Sequence, residues 1–144
     1  DCAQILLQLY NYKGTVHSYN KDITEAIKQF MTAVRIAKEV NMKTEVVNEY
    51  NYALLMALKK DRLTYEPILN EAFEYGYSFS DEDLKIINLS FIASTYLDKT
   101  YSLDSSKRDE ISKRMSDLYG EDWQLSTKEL AAKLDAEYSL RNPK

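Results

Sequence analysis

Apolar residues recur at intervals of three and four along most of this chain, which is the period of an amphipathic helix. The clearest run is Ile23, Ala26, Ile27, Phe30, Ala33, Val34 and Ala37. The apolar face of the first helix is formed by Ile5, Leu6, Leu9, Tyr12 and Val16. The pattern predicts seven helices, over about 2–19, 22–40, 44–60, 64–76, 81–98, 105–119 and 126–140.

Residues typical of helix ends support these bounds. Capping residues are expected at the starts of four helices, namely Asp22, Thr64, Ser80 and Ser126. Pro67 is expected in the first turn of the fourth helix, where a missing N–H costs little. Gly76 and Gly120 suit helix C-termini.

Composition agrees with an all-α protein. The 144 residues include only three glycines and two prolines, so the tight turns that sheets need are scarce. Apolar residues make up 44%, which is enough to form a core. The short connections between predicted helices imply antiparallel hairpins in a single domain.

A spacing recurs along the chain. Gly14 precedes Ala26 by twelve residues, and Phe30 and Ala33 follow at intervals of four and three. The same spacing joins Ala53 to Tyr65, Leu69 and Ala72. A weaker third unit contains Ser90, followed after a longer connection by Ile111, Met115 and Leu118. Small residues at such positions let two helices approach closely.

This spacing resembles the tetratricopeptide repeat, with a longer period of the kind found in bacterial regulatory and signalling proteins. The resemblance covers about residues 3–118 and implies a right-handed stack of three hairpins, over about 2–41, 43–77 and 81–119. A capping helix would follow over about 126–140. The usual tryptophan and the proline after the second helix are absent, and Lys13 and His17 replace the common leucine and tyrosine. The alternative is an irregular helical bundle.

The resemblance also implies a concave groove lined by the first helix of each hairpin. Carried over residue by residue, its partner-binding positions are Gln8, Asn11, Thr15, Tyr50, Asn51, Leu54, Ile87, Asn88 and Phe91. Asparagine amides can both donate and accept, so these residues suit the backbone of an extended peptide. They equally suit hydrogen bonding between neighbouring hairpins.

The residues needed for catalysis are scarce. His17 is the single histidine and Cys2 the single cysteine, and a Cys–His pair would need them to meet. The three glycines are too scattered for a phosphate-binding loop, and no Cys/His cluster suits zinc. Asp81, Glu82 and Asp83 fit a helix N-terminus better than a calcium loop. We therefore expect no enzyme activity, no cofactor and no metal.

Charge and hydropathy restrict the partners. The net charge of −4 makes the chain a poor binder of nucleic acid. No apolar run is long enough for a membrane span. The single cysteine favours a reducing, cytoplasmic compartment. The chain begins with aspartate rather than methionine, as expected of a processed product or a piece of a longer protein.

The sequence therefore predicts a module that binds a peptide or protein segment, for example the sensor or adaptor part of a bacterial regulator. The alternative is a structural domain that forms a homodimer or packs on a missing domain. Exposure of the groove surface in a monomer would favour the first, and its burial in a symmetric dimer the second.

Overall fold

The computed structural model describes the backbone of residues 1–141, and their side chains except at residues 126, 130, 133, 134 and 137–141. Within that range the protein is all-α, without strands, and its helices pack as a stack of hairpins. The eight helices are α1 (Cys2–Tyr19), α2 (Ile23–Glu39), α3 (Lys43–Leu58), α4 (Arg62–Tyr77), α5 (Asp81–Ile86), α6 (Ser90–Lys99), α7 (Ser105–Tyr119) and α8 (Trp123–Arg141).

The first four helices form a regular stack in which each helix packs on the next. The turns after α1 and α2 are alike, because Lys21 (φ 60°) and Asn41 (φ 56°) adopt the left-handed conformation. The N–H of the following residue, Asp22 or Met42, returns to a carbonyl five residues back, at 2.9 Å in each case. This is the Schellman ending, and it reverses the chain within three residues.

Small residues bring these helices together as predicted. A Cβ atom added to Gly14 would lie 2.6 Å from the Phe30 ring, so α1 and α2 are in direct contact there. Phe30 and Leu69 are buried, and Ala26 and Ala53 are fully buried beside Phe30. Ser90 is also buried, but it is the first residue of α6 rather than a point in mid-helix. The spacing is therefore confirmed as a packing pattern in the first two hairpins.

The apolar face that the sequence indicates on α1 lies on the outside of the protein. Ile5 and Tyr12 are 66% and 67% exposed, and Leu6 and Leu9 are 44% and 45% exposed. Burial on α1 falls instead at Leu7, Gly14 and Ser18, on the opposite side. Because α2 contacts α1 through Gly14, the face of α1 that contains Gly14 is buried and the opposite, more apolar face is left to solvent.

The predicted cap of α4 is three residues too late. Asp61, not Thr64, is the N-cap, and its carboxylate accepts from the Thr64 N–H at 2.9 Å. Helix α4 therefore begins at Arg62, which places Pro67 in the second turn rather than the first. Pro67 lies on an exposed side of the helix. The carbonyl that lacks a hydrogen bond because proline has no N–H can therefore accept one from water.

The single helix predicted over 81–98 is wrong, because residues 87–89 divide it into α5 and α6. Ile87 has an extended backbone, and the Asn88 Oδ1 accepts from the Ser90 N–H at 2.8 Å, which starts α6. Leu89 is fully buried against Gly76, where an added Cβ would lie 2.2 Å from its side chain. Gly76 therefore serves close packing and not a left-handed helix end.

The hydroxyl of Tyr119 satisfies the backbone at this break. It accepts from the Leu89 N–H at 3.1 Å and lies 2.7 Å and 2.9 Å from the carbonyl oxygens of Leu84 and Ile87. Burial raises the pKa of the Tyr119 phenol. The hydroxyl thus replaces hydrogen bonds that a continuous helix would have made within itself.

Two arginines of α7 fix the ends of other helices. Arg108 donates to the carbonyl of Leu97 in the last turn of α6 and to those of Thr100 and Leu103 after it. Arg114 donates at 2.6 Å each to the carbonyls of Tyr77, the last residue of α4, and Phe79, and it pairs with Asp81. Charged donors satisfy orphan carbonyls at helix C-termini.

The last helix packs on α6, as expected of a terminal cap. It begins at Trp123, so the capping box predicted at Ser126 and Glu129 lies inside the helix and is wrong. Trp123 is 4% exposed and anchors the start of α8 in the core. The buried aromatic side chain therefore holds the first residue of this helix against the core.

Candidate functional site

The predicted groove is only partly an open surface. On α1, Gln8 is exposed, whereas Asn11 and Thr15 are half-buried. The Thr15 hydroxyl donates to the Asn11 carbonyl of its own helix at 3.0 Å. Of these three side chains, Gln8 is therefore the one that presents its polar group to solvent.

Asn11 connects the first hairpin to the second. Its Nδ2 lies 2.9 Å from both carboxylate oxygens of Glu49 on α3, which is 4% exposed. Burial raises the pKa of Glu49 to about 7, the Asn11 hydrogen bond opposes that rise, and the negative charge of Glu45 adds to it. The asparagine therefore makes the inter-hairpin hydrogen bond that was the alternative to peptide binding.

Four groove positions lie inside the protein, and the expectation that they face an open groove is wrong. Tyr50 and Leu54 are fully buried, and Ile87 and Phe91 are 5% and 8% exposed. The Tyr50 hydroxyl donates to Glu71 at 2.6 Å, and burial followed by that hydrogen bond raises the pKa of the phenol. A helix period predicts which residues share a face but not whether a neighbouring helix covers that face.

The remaining two asparagines of the predicted groove differ in their surroundings. Asn88 is exposed and its carbonyl oxygen is used at the start of α6. The Oδ1 of Asn51 is buried and has no hydrogen-bond partner among the described residues. Asn51 and Asn88 therefore lie in different environments, although they occupy matching repeat positions.

A cleft of about 590 Å³ lies between α4 and the end of α6, and we call it the α4–α6 cleft. One wall is a straight row on α4 at four-residue intervals, formed by Arg62, Glu66, Asn70 and Glu74. The other wall is the end of α6 and the turn after it, formed by Tyr96, Lys99, Thr100, Tyr101 and Ser102. Residues four apart on a helix lie one above the other, so the row is a continuous ridge.

Several polar side chains in the cleft have no partner in the described part of the chain. The side chains of Asn70, Glu74 and Ser102 make no hydrogen bond or ion pair with any part of the chain that the structure describes. Asn70 and Glu74 are exposed, and Tyr101 is 73% exposed. The cleft thus offers a donor–acceptor amide, a carboxylate, a hydroxyl and an aromatic ring to a ligand.

The two walls are held in place by contacts with each other and with α7. The rings of Tyr96 and Phe73 stack with centroids 3.8 Å apart, which fixes α6 against α4. Arg108 binds the Leu97 and Thr100 carbonyls from behind, which fixes the turn that carries Tyr101. The Arg62 guanidinium pairs with Glu66 at 2.6 Å and lies 5.8 Å from the Tyr101 ring.

Sequence reasoning missed this cleft. The signal in the sequence was the polar row from Arg62 to Glu74, which has one polar residue per turn of the helix. A polar row is also what a solvated helix face shows. The opposing wall depends on the break at residues 87–89 and on the turn after α6, which were not predicted.

The cysteine and the histidine that a Cys–His catalytic pair would need lie far apart. Cys2 and His17 lie at opposite ends of α1, fifteen residues and therefore about 22 Å apart. The His17 Nδ1 instead lies 3.5 Å from the carboxylate of Asp22. Among the described residues, no group of three His, Cys, Asp or Glu side chains is arranged to hold a metal ion.

No helix in the described part of the chain combines the length and apolar character needed to cross a membrane. Comparison with protein-family models, with curated proteins and with solved structures gives no match for this chain.

Proposed function

We propose that this domain binds an extended segment of another polypeptide along the α4–α6 cleft. The observation that carries the proposal is the polar row on α4, in which Asn70 and Glu74 are free, together with the exposed ring of Tyr101 on the other wall of the cleft. Twelve residues separate Arg62 from Glu74, so the ridge is about 18 Å long. An extended chain of five or six residues has that length.

The chemistry of the lining suits a peptide backbone. The Asn70 amide can accept from one backbone N–H and donate to one backbone C=O, without reading the side chains. Tyr101 supplies contact area with few rotatable bonds, as aromatic side chains do at recognition surfaces. Because the walls are fixed by the Phe73–Tyr96 stack and by Arg108, little ordering is needed on binding.

The proposal keeps the expected kind of ligand and changes its location. The inward face of α1 and α3 is occupied by the Asn11–Glu49 and Tyr50–Glu71 hydrogen bonds, which hold the hairpins together. We also propose that the first two hairpins are tetratricopeptide-like, supported by the contact of Gly14 with Phe30 at the spacing of that repeat. In that comparison the cleft lies beside a second helix of a hairpin rather than along the first helices.

The test compares two double variants by fluorescence anisotropy with a panel of capped, dye-labelled hexapeptides. Asn70→Ala with Tyr101→Ala should weaken the peptides that bind by about tenfold, the combined effect of one hydrogen bond and one aromatic contact. The matched control is Tyr12→Ala on α1, where Tyr12 is 67% exposed, together with Asn20→Ala directly after that helix. Equal loss in both variants, or none in the first, would refute the location.

We propose in addition that the domain catalyses no reaction, supported by the distance between Cys2 and His17. The double variant Cys2→Ser with His17→Gln should bind the same peptides with unchanged affinity. A folded double variant that lost the biological activity would reopen the question of catalysis.

Self-association remains a second candidate, favoured by the exposed apolar face of α1 formed by Ile5, Leu6, Leu9 and Tyr12. Apolar side chains grouped on one helix face often mark an interface. Sedimentation equilibrium tests it, with Ile5→Glu and Leu9→Glu together compared against Leu63→Glu, whose side chain is 89% exposed on α4. A dimer lost in the first variant and kept in the second would support this role.

A further inference from the structure

The two ends of the α4–α6 cleft carry opposite charge. Helix α6 runs antiparallel to α4, since Tyr96 stacks on Phe73 while the Lys99 ammonium lies 5.9 Å from the Tyr65 ring, two turns earlier on α4. Lys99 and Arg62 therefore share one end of the cleft, and Glu74 lies at the other. An extended ligand along the cleft passes from a cationic end to an anionic end.

The charges at these ends are available to a ligand. At the cationic end Glu66 pairs with Arg62, which leaves Lys99 as the excess charge. Its nearest carboxylate is Asp98, at 3.8 Å and 75% exposed, and such an exposed pair is weak. At the other end Glu74 has no ion pair with any described residue.

From these charges we infer that the segment bound in the cleft carries a basic and an acidic side chain four residues apart. This inference rests on the proposed function. The basic side chain pairs with Glu74 and the acidic one with Lys99. The turn of α4 beside Lys99 is nine residues from Glu74, or about 14 Å along the helix, and four residues of extended chain span about 13 Å.

The spacing of four is consistent with an extended conformation in a second way. Side chains of an extended chain alternate between two faces, so residues i and i+4 point to the same side. Both charged side chains would then face the cleft floor, with residue i+2 between them near Asn70. Because the chain can enter in either direction, the order of the two charges is free and only their spacing is specified.

The experiment uses three capped heptapeptides of equal length, each with glycine at both ends and a dye label. One contains Lys-Val-Thr-Val-Glu, the second Gln-Val-Thr-Val-Gln, and the third Lys-Glu-Val-Thr-Val. The first should bind about threefold to thirtyfold tighter than the second, the combined effect of two exposed ion pairs. It should also bind tighter than the third, and its advantage should decrease at high ionic strength.

Charge reversal in the protein separates electrostatics from folding. Glu74→Lys alone and Lys99→Glu alone should each remove the advantage of the first peptide. The double variant exchanges the two charges, so the first peptide should bind in the opposite direction with affinity restored to within about twofold of wild type.

Each outcome bears on a different claim. The charge spacing would be overturned by equal affinity of the first two peptides, or by a double variant that still binds the first peptide weakly. Polypeptide binding in the cleft would still stand in that case if Asn70→Ala weakens the binding of all three peptides. If none of the three peptides binds, the spacing is wrong. If the hexapeptide panel also gives no binding, the proposed function is wrong with it.

Discussion

At the scale of single residues, Gly14 decides how closely the first two helices approach. An added Cβ would lie 2.6 Å from the Phe30 ring, which is itself buried and cannot move freely. We expect Gly14→Ala to lower the free energy of unfolding by about 1–3 kcal/mol, the usual effect of overpacking. Urea unfolding checks this, and Phe30→Leu should recover part of the loss in the double variant. Equal losses in both backgrounds would show that the two residues do not clash.

A second residue-scale prediction concerns the buried Glu49 carboxyl. Its pKa is raised to about 7 by burial, from 4.5 for an ordinary glutamate. The folded state therefore holds a proton that the unfolded state has released between those values, so the contribution of Glu49 to stability falls as pH rises through that window. Above it, Glu49→Gln should be more stable than wild type by roughly 3 kcal/mol at most.

The measurement is the difference in free energy of unfolding between wild type and Glu49→Gln at several pH values from 4.5 to 8. The difference should be small at the acid end and grow in favour of the variant towards neutral pH. A constant difference across the range would mean that Glu49 is ionised as easily in the folded chain as in the unfolded one.

At the scale of elements, the break between α5 and α6 depends on one hydroxyl. The Tyr119 hydroxyl accepts a hydrogen bond from the Leu89 N–H and lies within hydrogen-bond distance of the Leu84 and Ile87 carbonyl oxygens. Tyr119→Phe leaves these backbone groups without that partner, so we expect a loss of about 1–3 kcal/mol in stability. Tyr101→Phe is the matched control, because that ring is 73% exposed, and it should change stability little. Equal melting temperatures for the two variants would contradict the assignment.

The two asparagines at matching repeat positions should differ when each is truncated. Asn88→Ala removes the side-chain oxygen that starts α6 and should lower stability by about 0.5–2 kcal/mol. Asn51→Ala removes a buried oxygen that has no hydrogen bond within the described residues, so its effect should be smaller or favourable. Thermal unfolding of the two single variants decides this. A larger loss for Asn51→Ala would show that its side chain makes a stabilising contact.

A helix end could be predicted from the sequence where the residues that determine it lie close to it in the chain. Asp22 caps α2 and Gly120 ends α7 as expected, because both act within a few residues of their own position. Helix α5 ends because Leu89 packs on Gly76 and Tyr119 bonds the backbone, and both partners are distant in sequence. Apolar periodicity continues through residues 87–89, so the sequence pattern alone favours one long helix there.

At the scale of the whole molecule, contacts between residues distant in sequence also explain why the candidate site was not predicted. The period of α3 places Tyr50 and Leu54 on one face, but their burial depends on the packing of the second hairpin against its neighbours. The acidic middle of the chain, with nine acidic and three basic residues over 61–104, was visible in the sequence and includes most of the cleft lining. Its division into a cationic and an anionic end arises only when α6 lies antiparallel to α4.

The most direct test of the proposed function is to map a bound peptide on the protein by NMR. Amide shifts of the ¹⁵N-labelled chain would be followed as the tightest hexapeptide of the panel is added. Binding along the cleft predicts that the largest changes fall at residues 66–74 and 96–102, with little change over 5–19. Changes concentrated on α1 and α3 instead, or no saturable change with any peptide, would contradict the proposal.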